Sequence, residues 1–157
     1  MKKTIFVIIG LIALIYVGKC TYQTLSISST IPVIKEYTCN GNVDFLIANI
    51  KKYVSAHPSI SFKVTGVVGD KDSGLGYQIT ISFKSNNHDL TYDIKCEDNK
   101  MKDKVITTLK IIAAHDLTSG TGGYGVKADG MSELINSFTS AILTPMQYEQ
   151  NIKVTPL

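Results

Sequence analysis

Arginine is missing from this chain: all sixteen basic residues are lysine. Proteins that bind nucleic acid normally present a basic face, with arginine for phosphate and guanine. Lys2, Lys3 and Lys19 fall in an N-terminal export segment, and the thirteen lysines that remain are balanced by thirteen acidic residues. The rest of the chain is therefore formally neutral, although the whole chain carries a net charge of +3. No nucleic-acid partner is expected.

The chain has little apolar sequence at its N-terminus for crossing a bilayer. Residues 4–18 form an uncharged, mostly apolar stretch after Lys2 and Lys3, which is the pattern of an export signal. As a helix this stretch would span about 22 Å, short of the ~30 Å hydrocarbon core, so its length favours a cleaved signal. An uncleaved anchor stays open, because Lys19 can snorkel and Tyr16 suits an interface. The positive start places the rest of the chain outside the cytoplasm.

Cysteine is scarce, with three residues in all. A signal-peptidase cut after Cys20 is one interpretation; the other is a bacterial lipoprotein with Cys20 as its lipidated first residue, although Lys19 departs from that motif. Cys39 and Cys96 then form an even pair in an exported domain, which predicts a disulfide, with two buried free thiols as the alternative. A zinc site is not expected, because there is no Cys-x-x-Cys and no histidine near either cysteine in the sequence.

The predicted organisation has three parts. Residues 1–20 are a signal peptide or membrane anchor, residues 21–32 a Ser/Thr-rich linker, and residues 33–157 a single exported α+β domain. Apolar residues recur at the helical period in two stretches, which predicts two helices. The first begins at Val43 and is expected to end before Pro58, and the second begins at Met131 and is expected to end at Pro145. Between these stretches the period changes to two over four successive segments, which predicts an antiparallel meander.

The expected fold class is therefore α+β. An N-terminal export or membrane helix precedes a domain made of a helix, a four-stranded antiparallel meander and a C-terminal helix. The two helices of the domain are expected to cover one face of the sheet, giving two layers.

Residues 118–130 contain five glycines and are predicted to form a loop. Gly120, Gly122 and Gly125 match the G-x-G-x-x-G spacing of dinucleotide-binding turns, but the strands before them look antiparallel and the next helix starts later, so no cofactor is expected. Surface loops often carry binding function. The residues predicted to contact a partner protein are Ser119, Gly120, Thr121, Gly122, Gly123, Tyr124 and Lys127.

Two short segments, Ser119–Tyr124 and Tyr37–Gly41, give the chain a resemblance to a known family. The first resembles the Ser/Gly-rich loop followed by tyrosine in the periplasmic inhibitors of c-type lysozyme, and the second resembles their early Tyr-x-Cys. Those inhibitors are all-β barrels, whereas two helices are expected here. The resemblance implies a mode of action, in which a loop enters an enzyme's cleft, more than it implies kinship.

No catalytic or metal-binding motif is found. His57, His88 and His115 are far apart in the sequence and form no H-E-x-x-H pair, so no metal site is expected. His115 followed by Asp116 could orient a base, but no serine lies in a nucleophile-elbow motif. A small periplasmic hydrolase or ligand-binding domain is therefore a secondary hypothesis.

The leading hypothesis is a non-enzymatic bacterial cell-envelope protein that acts through protein–protein contact, such as an accessory subunit of a secretion or surface apparatus. An alternative is a periplasmic inhibitor or immunity protein that uses the 118–130 loop. The expected location is the periplasm or the periplasm-facing inner membrane, with secretion also open. A membrane partner is expected through the N-terminal segment if it is uncleaved or lipidated.

Overall fold

The computed structural model describes residues 32–69, 75–101 and 104–157. The predicted export segment with Cys20, and almost all of the predicted linker, lie outside the described residues. Within these three ranges, no helix has both the length and the apolar character needed to cross a membrane.

The described residues form one antiparallel sheet of seven strands. The strands are β1 (Lys35–Asn40), β2 (Ile60–Val68), β3 (Gly76–Ser85), β4 (His88–Met101), β5 (Lys104–Asp116), β6 (Thr121–Gly123) and β7 (Val154–Pro156). Six of them follow the order β2-β3-β4-β5-β1-β7 in the sheet, and the seventh, β6, pairs with β5.

The expected four-stranded sheet is wrong, because three further strands belong to it. β1 pairs with β5 in a register that sets Tyr37 opposite Leu109, and β7 pairs with β1. β6 lies in the segment that was expected to be a loop. The alternation of apolar residues fixes which face a strand buries but not which distant strand it joins, so these pairings have no local signal.

The first helix, α1 (Val43–Ala56), starts where two side chains satisfy its free N–H groups. Asn42 Oδ1 accepts a hydrogen bond from the N–H of Phe45 at 2.9 Å, and Asp98 Oδ1 accepts one from the N–H of Val43 at 2.6 Å. The helix ends at His57, directly before a proline that disfavours helical backbone at the preceding residue. Its buried stripe consists of Val43, Leu46, Ile47, Ile50 and Tyr53.

The second helix continues past the proline that was expected to end it. It consists of α2 (Met131–Phe138), a π-helical turn (Thr139–Leu143) and α3 (Thr144–Gln150), which follow one another without a break. Pro145 has no N–H to donate to the carbonyl of Ala141, four residues earlier. The hydroxyl of Tyr53 on α1 donates to that carbonyl instead, at 3.1 Å. The wider π turn and this tertiary hydrogen bond together accommodate the proline.

The two faces of the sheet differ in chemistry. The core face packs on both helices, and its apolar side chains join theirs in one buried cluster. The hydroxyl of Tyr92 on this face donates to the carbonyl of Leu134 on α2 at 2.8 Å. The opposite, polar face carries hydrogen-bonded and charged pairs, including Thr80 with Asp93 at 2.7 Å. Its other main members are Ser82, Thr91, Lys95, Glu97 and Lys110.

Candidate functional site

Strand β5 changes face at a β-bulge, and this decides which of its last residues face the core. Ile111 pairs with Ile94 while Ala113 pairs with Asp93, so residue 112 is an extra residue in β5. Beyond the bulge, Asp116 lies opposite the buried Leu90 and is itself buried. The bulge therefore delivers a carboxylate to the end of the core face.

The predicted cooperation between His115 and Asp116 is wrong, because neighbouring residues on a strand point to opposite faces. The His115 ring instead meets the edge of Tyr124, with ring centroids 5.8 Å apart. The partner of Asp116 is His88, whose Nδ1 lies 2.6 Å from Asp116 Oδ2. The sequence alone does not show this contact. Once Leu90 is known to pair with Asp116, the position of His88 two residues before Leu90 places it near that carboxylate.

Asp116 accepts hydrogen bonds from the turn that follows it as well as from His88. The Ser119 hydroxyl donates to Asp116 Oδ2 at 2.5 Å, and the N–H of Thr118 donates to Oδ1 at 2.9 Å. These donors, Ser119 first, outweigh partial burial and lower the pKa of Asp116 to about 2. Asp116 is therefore ionised at ordinary pH and holds the turn between β5 and β6 against the start of β4.

A cleft of about 350 Å³ opens beside this carboxylate. It lies among the β3–β4 turn, the β5–β6 turn and the start of α2. Its walls combine apolar, hydroxyl, amide and acidic side chains, and among the described residues no lysine lines it. The residues that line it are Ser85, Asn86, His88, Leu90, Asp116, Ser119, Thr121, Gly130, Glu133, Leu134 and Ser137.

The arrangement is not a serine-hydrolase relay. In such a relay the histidine bonds to both the serine and the aspartate, whereas Ser119 here donates to Asp116 and not to His88. A carboxylate only accepts hydrogen bonds, so Nδ1 of His88 carries a hydrogen, and in the neutral ring Nε2 then keeps a free lone pair. The His88 side chain is 49% exposed. Its Nε2 can therefore accept a hydrogen bond from a bound molecule.

The predicted partner-binding loop is partly strand. Thr121, Gly122 and Gly123 pair with the end of β5. A Cβ at Gly122 would lie 2.2 Å from the Ala114 carbonyl oxygen, and its φ of +96° also favours glycine. Gly122 is thus explained by packing. The remaining predicted contact residues, Ser119, Gly120, Tyr124 and Lys127, are exposed, and Ser119 lines the cleft together with Thr121.

Three large apolar side chains are exposed on the β5–β6 hairpin and the residues directly after it. Leu117 is 65% exposed, Tyr124 63% and Val126 59%. We call these three residues the hairpin patch. The sequence predicts a contact role for Tyr124 but not for Leu117 or Val126, because the exposure of an apolar residue depends on the folded surface rather than on its local pattern. Exposed apolar residues grouped on one element are a feature of interaction surfaces.

Cys39 and Cys96 are free, buried thiols in the structure rather than the predicted disulfide. Cys39 pairs with Thr107 and Cys96 with Leu109, so strand β5 runs between the two cysteines. Two strand spacings amount to about 9.6 Å, whereas bridged cysteines have Cα atoms less than about 7 Å apart. Burial raises the pKa of Cys39 to about 12 and also raises the pKa of Cys96.

Each of the three histidines has a different neighbour: His88 bonds to Asp116, His115 contacts Tyr124, and His57 packs on Tyr53. His57 packs on Tyr53, with ring centroids 4.2 Å apart, and does not reach the cleft. Across the three described ranges, no group of three or more His, Cys, Asp or Glu side chains is placed to hold a metal ion.

No protein-family model matches the chain, and a search of curated proteins gives no significant match.

Proposed function

We propose that this chain is a non-enzymatic protein of the bacterial cell envelope that acts by contact with another protein, and that the hairpin patch is the contact surface. The observation that carries the proposal is the exposure of Leu117, Tyr124 and Val126 on a single hairpin and the residues after it. Burying such side chains in a partner is favourable by roughly 1.5–3 kcal/mol for each large apolar residue. Binding would cost the hairpin little conformational entropy, because the hydrogen bond of Asp116 to the Thr118 N–H and the close packing at Gly122 already hold its backbone in place.

The location of the domain follows from the N-terminal sequence. Lys2 and Lys3 stay in the cytoplasm and residues 4–18 enter the membrane, so residues 33–157 lie in the periplasm, tethered by the uncleaved segment, by lipid on Cys20, or released. A formally neutral domain that exposes the apolar side chains of the hairpin patch suits an accessory subunit of a secretion or surface apparatus. A periplasmic inhibitor or immunity protein would use the same hairpin.

The test is crosslinking capture of the tagged full-length protein from its native envelope, read by mass spectrometry. Three baits are compared: the wild type, Tyr124→Ala, and Tyr148→Ala as a matched control on α3, where Tyr148 is 85% exposed. We expect one stoichiometric partner with the wild type and the control, and loss of that partner with Tyr124→Ala. Gly122 is unsuitable for this test, since its substitution would disturb the fold.

Capture of background proteins alone would overturn the proposal, and equal capture by Tyr124→Ala and the wild type would remove the hairpin patch from it. The identity of a partner separates the two forms of the proposal. An enzyme whose turnover falls when the domain is added indicates an inhibitor, whereas a structural component indicates an accessory subunit. The intact mass of the bait reports signal cleavage and lipidation at Cys20 in the same experiment.

A further inference from the structure

We propose that the cleft beside His88 and Asp116 binds a small, uncharged, hydroxyl-rich ligand the size of a monosaccharide. This goes beyond the contact function, because the cleft and the hairpin patch share no residue. One molecule can carry both.

The size and the apolar part of the cleft fit such a ligand. Its volume of about 350 Å³ lies at the lower end of the roughly 300–1,000 Å³ typical of small-molecule sites. Leu90 and Leu134 are buried and contribute apolar wall. A sugar ring presents C–H groups on its faces and hydroxyls at its rim, which matches a site with apolar wall and polar groups around it.

The polar side chains of the cleft include several that are free to bind. Ser85, Asn86 and Ser137 line it, and their side chains make no hydrogen bond to any other residue in the described part of the chain. Serine hydroxyls and the asparagine amide each donate and accept, as sugar hydroxyls do. In its neutral form His88 adds Nε2 as an acceptor, and its ring is oriented by the bond from Nδ1 to Asp116.

The charge of the cleft argues against an anionic ligand. Glu133 and Asp116 both line it, without a lysine to balance them. Hydrogen bonds from its own backbone N–H and from Ser132 lower the pKa of Glu133, so it is ionised at neutral pH. Asp116 is already bonded to His88 and Ser119, so Glu133, which among the described residues accepts a side-chain hydrogen bond only from Ser132, is the more available of the two carboxylates. A neutral ligand that donates to Glu133 and exchanges hydrogen bonds with Asn86 and the serines fits best.

Two variants remove free polar groups without disturbing the backbone. Asn86 has φ +49°, a conformation that glycine adopts without strain, so Asn86→Gly deletes the amide and keeps the turn. Asn87→Gly is its matched control, since Asn87 has φ +66° in the same turn and does not line the cleft. Ser137→Ala removes a lining hydroxyl, and Ser140→Ala is its control on the same helical segment.

The experiment is an NMR titration of the ¹⁵N-labelled full-length protein, in a detergent without a sugar head group. The neutral probes are glucose, mannose and N-acetylglucosamine; glucuronate is the anionic probe and glucosamine the cationic one. We expect at least one neutral sugar to bind with a Kd of about 1–10 mM and to shift the amides of cleft residues. Asn86→Gly and Ser137→Ala should each weaken binding about threefold to tenfold, and the two controls should not.

Charge provides the second readout. Glucuronate should bind about tenfold more weakly than the neutral sugars, and Glu133→Gln should remove that difference. The proposal is overturned if no neutral sugar shifts the cleft amides, if the shifts are indifferent to Asn86→Gly and Ser137→Ala, or if only glucosamine binds. None of these results depends on the hairpin patch.

Discussion

The core face and the polar face of the sheet are built from alternating residues of the same strands, yet they hold together by different interactions. Leu109 and Lys110 are neighbours on β5: the first is fully buried among apolar side chains, and the second pairs with Glu97 at 3.1 Å on the other face. Burial of a leucine stabilises a fold by about 1.5–3 kcal/mol, whereas partly exposed ion pairs contribute about 0–1 kcal/mol.

The same contrast explains where a binding site can form. On the polar face the polar groups bond to one another: Lys95 and Lys110 both contact Glu97, and Thr80 donates to Asp93. At the end of the core face, the bulge brings Asp116 to a cleft in which Ser85, Asn86 and Ser137 make no side-chain hydrogen bond within the described part of the chain. Free hydrogen-bonding capacity beside apolar wall, rather than the number of charges, distinguishes the cleft from the rest of the sheet.

The largest expected effect concerns thiol reactivity on the core face. Cys39 and Cys96 are buried and have raised pKa values, so a thiol reagent should reach them only when the domain opens. For an unfolding free energy of at least 5 kcal/mol, labelling of the folded protein should be slower than in urea by about a thousandfold or more. A Cys20→Ser variant restricts the measurement to these two thiols.

The thiol count in urea checks the sheet register directly. Two reactive thiols per chain are expected for the Cys20→Ser variant, with or without prior reduction. If thiols appear only after reduction, Cys39 and Cys96 are bridged, and strand β5 cannot lie between them as described. Fast labelling of the folded protein would instead show that the core face is open at this end.

The next effect compares the two faces at adjacent positions. Leu109→Ala should lower the free energy of unfolding by about 2–5 kcal/mol, because it removes buried methyl groups and leaves a cavity. Lys110→Ala, which loses ion pairs to Glu97 and Glu36, should lower it by less than about 1 kcal/mol. Urea unfolding of both variants beside the wild type measures the difference. Equal losses would mean that the polar face contributes as much to stability as the core.

Part of this architecture can be predicted from sequence periodicity alone. The buried stripe of α1 follows the helical spacing of Val43, Leu46, Ile47 and Ile50. The alternation of Ile79, Ile81 and Phe83 likewise predicts which face of β3 is buried. These elements are predictable because the burial of each residue follows from its neighbours within one turn or two strand positions.

The rest depends on contacts between distant parts of the chain. β6 has the sequence Thr-Gly-Gly, in which the two glycines disfavour a strand, and its pairing with β5 relies on the close approach of Gly122 to Ala114. Pro145 predicts a helix end unless Tyr53 is known to bond the freed carbonyl. The cleft cannot be predicted from local sequence for a similar reason. One extra residue in β5 turns Asp116, and not His115, towards the face where it contacts His88.

The smallest expected effect concerns the loss of folding stability at low pH. It compares the contributions of two carboxylates, Asp116 on the core face and Glu97 on the polar face. The pKa of Asp116 is lowered from 3.8 to about 2, so the unfolded chain takes up a proton at higher pH than the folded one. Its stabilisation is therefore complete above about pH 4 and is lost as the pH falls towards about 2. The urea concentration at the midpoint of unfolding should therefore fall less between about pH 4 and pH 2 in Asp116→Asn than in the wild type.

The matched variant on the polar face is Glu97→Gln. Partial burial would raise the pKa of Glu97, but hydrogen bonds from Lys95 and Lys110 outweigh it and lower the pKa overall. Salt screens these lysine pairs, so the contribution of Glu97 to acid sensitivity should shrink at about 1 M salt, where the Debye length is about 3 Å. The strongest donor to Asp116 is the uncharged Ser119 hydroxyl, followed by His88 and the backbone N–H groups, so its contribution should shrink less in salt than that of Glu97. If Asp116→Asn kept the wild-type acid slope at both salt concentrations, the hydrogen bonds assigned to Asp116 would not favour its charged form.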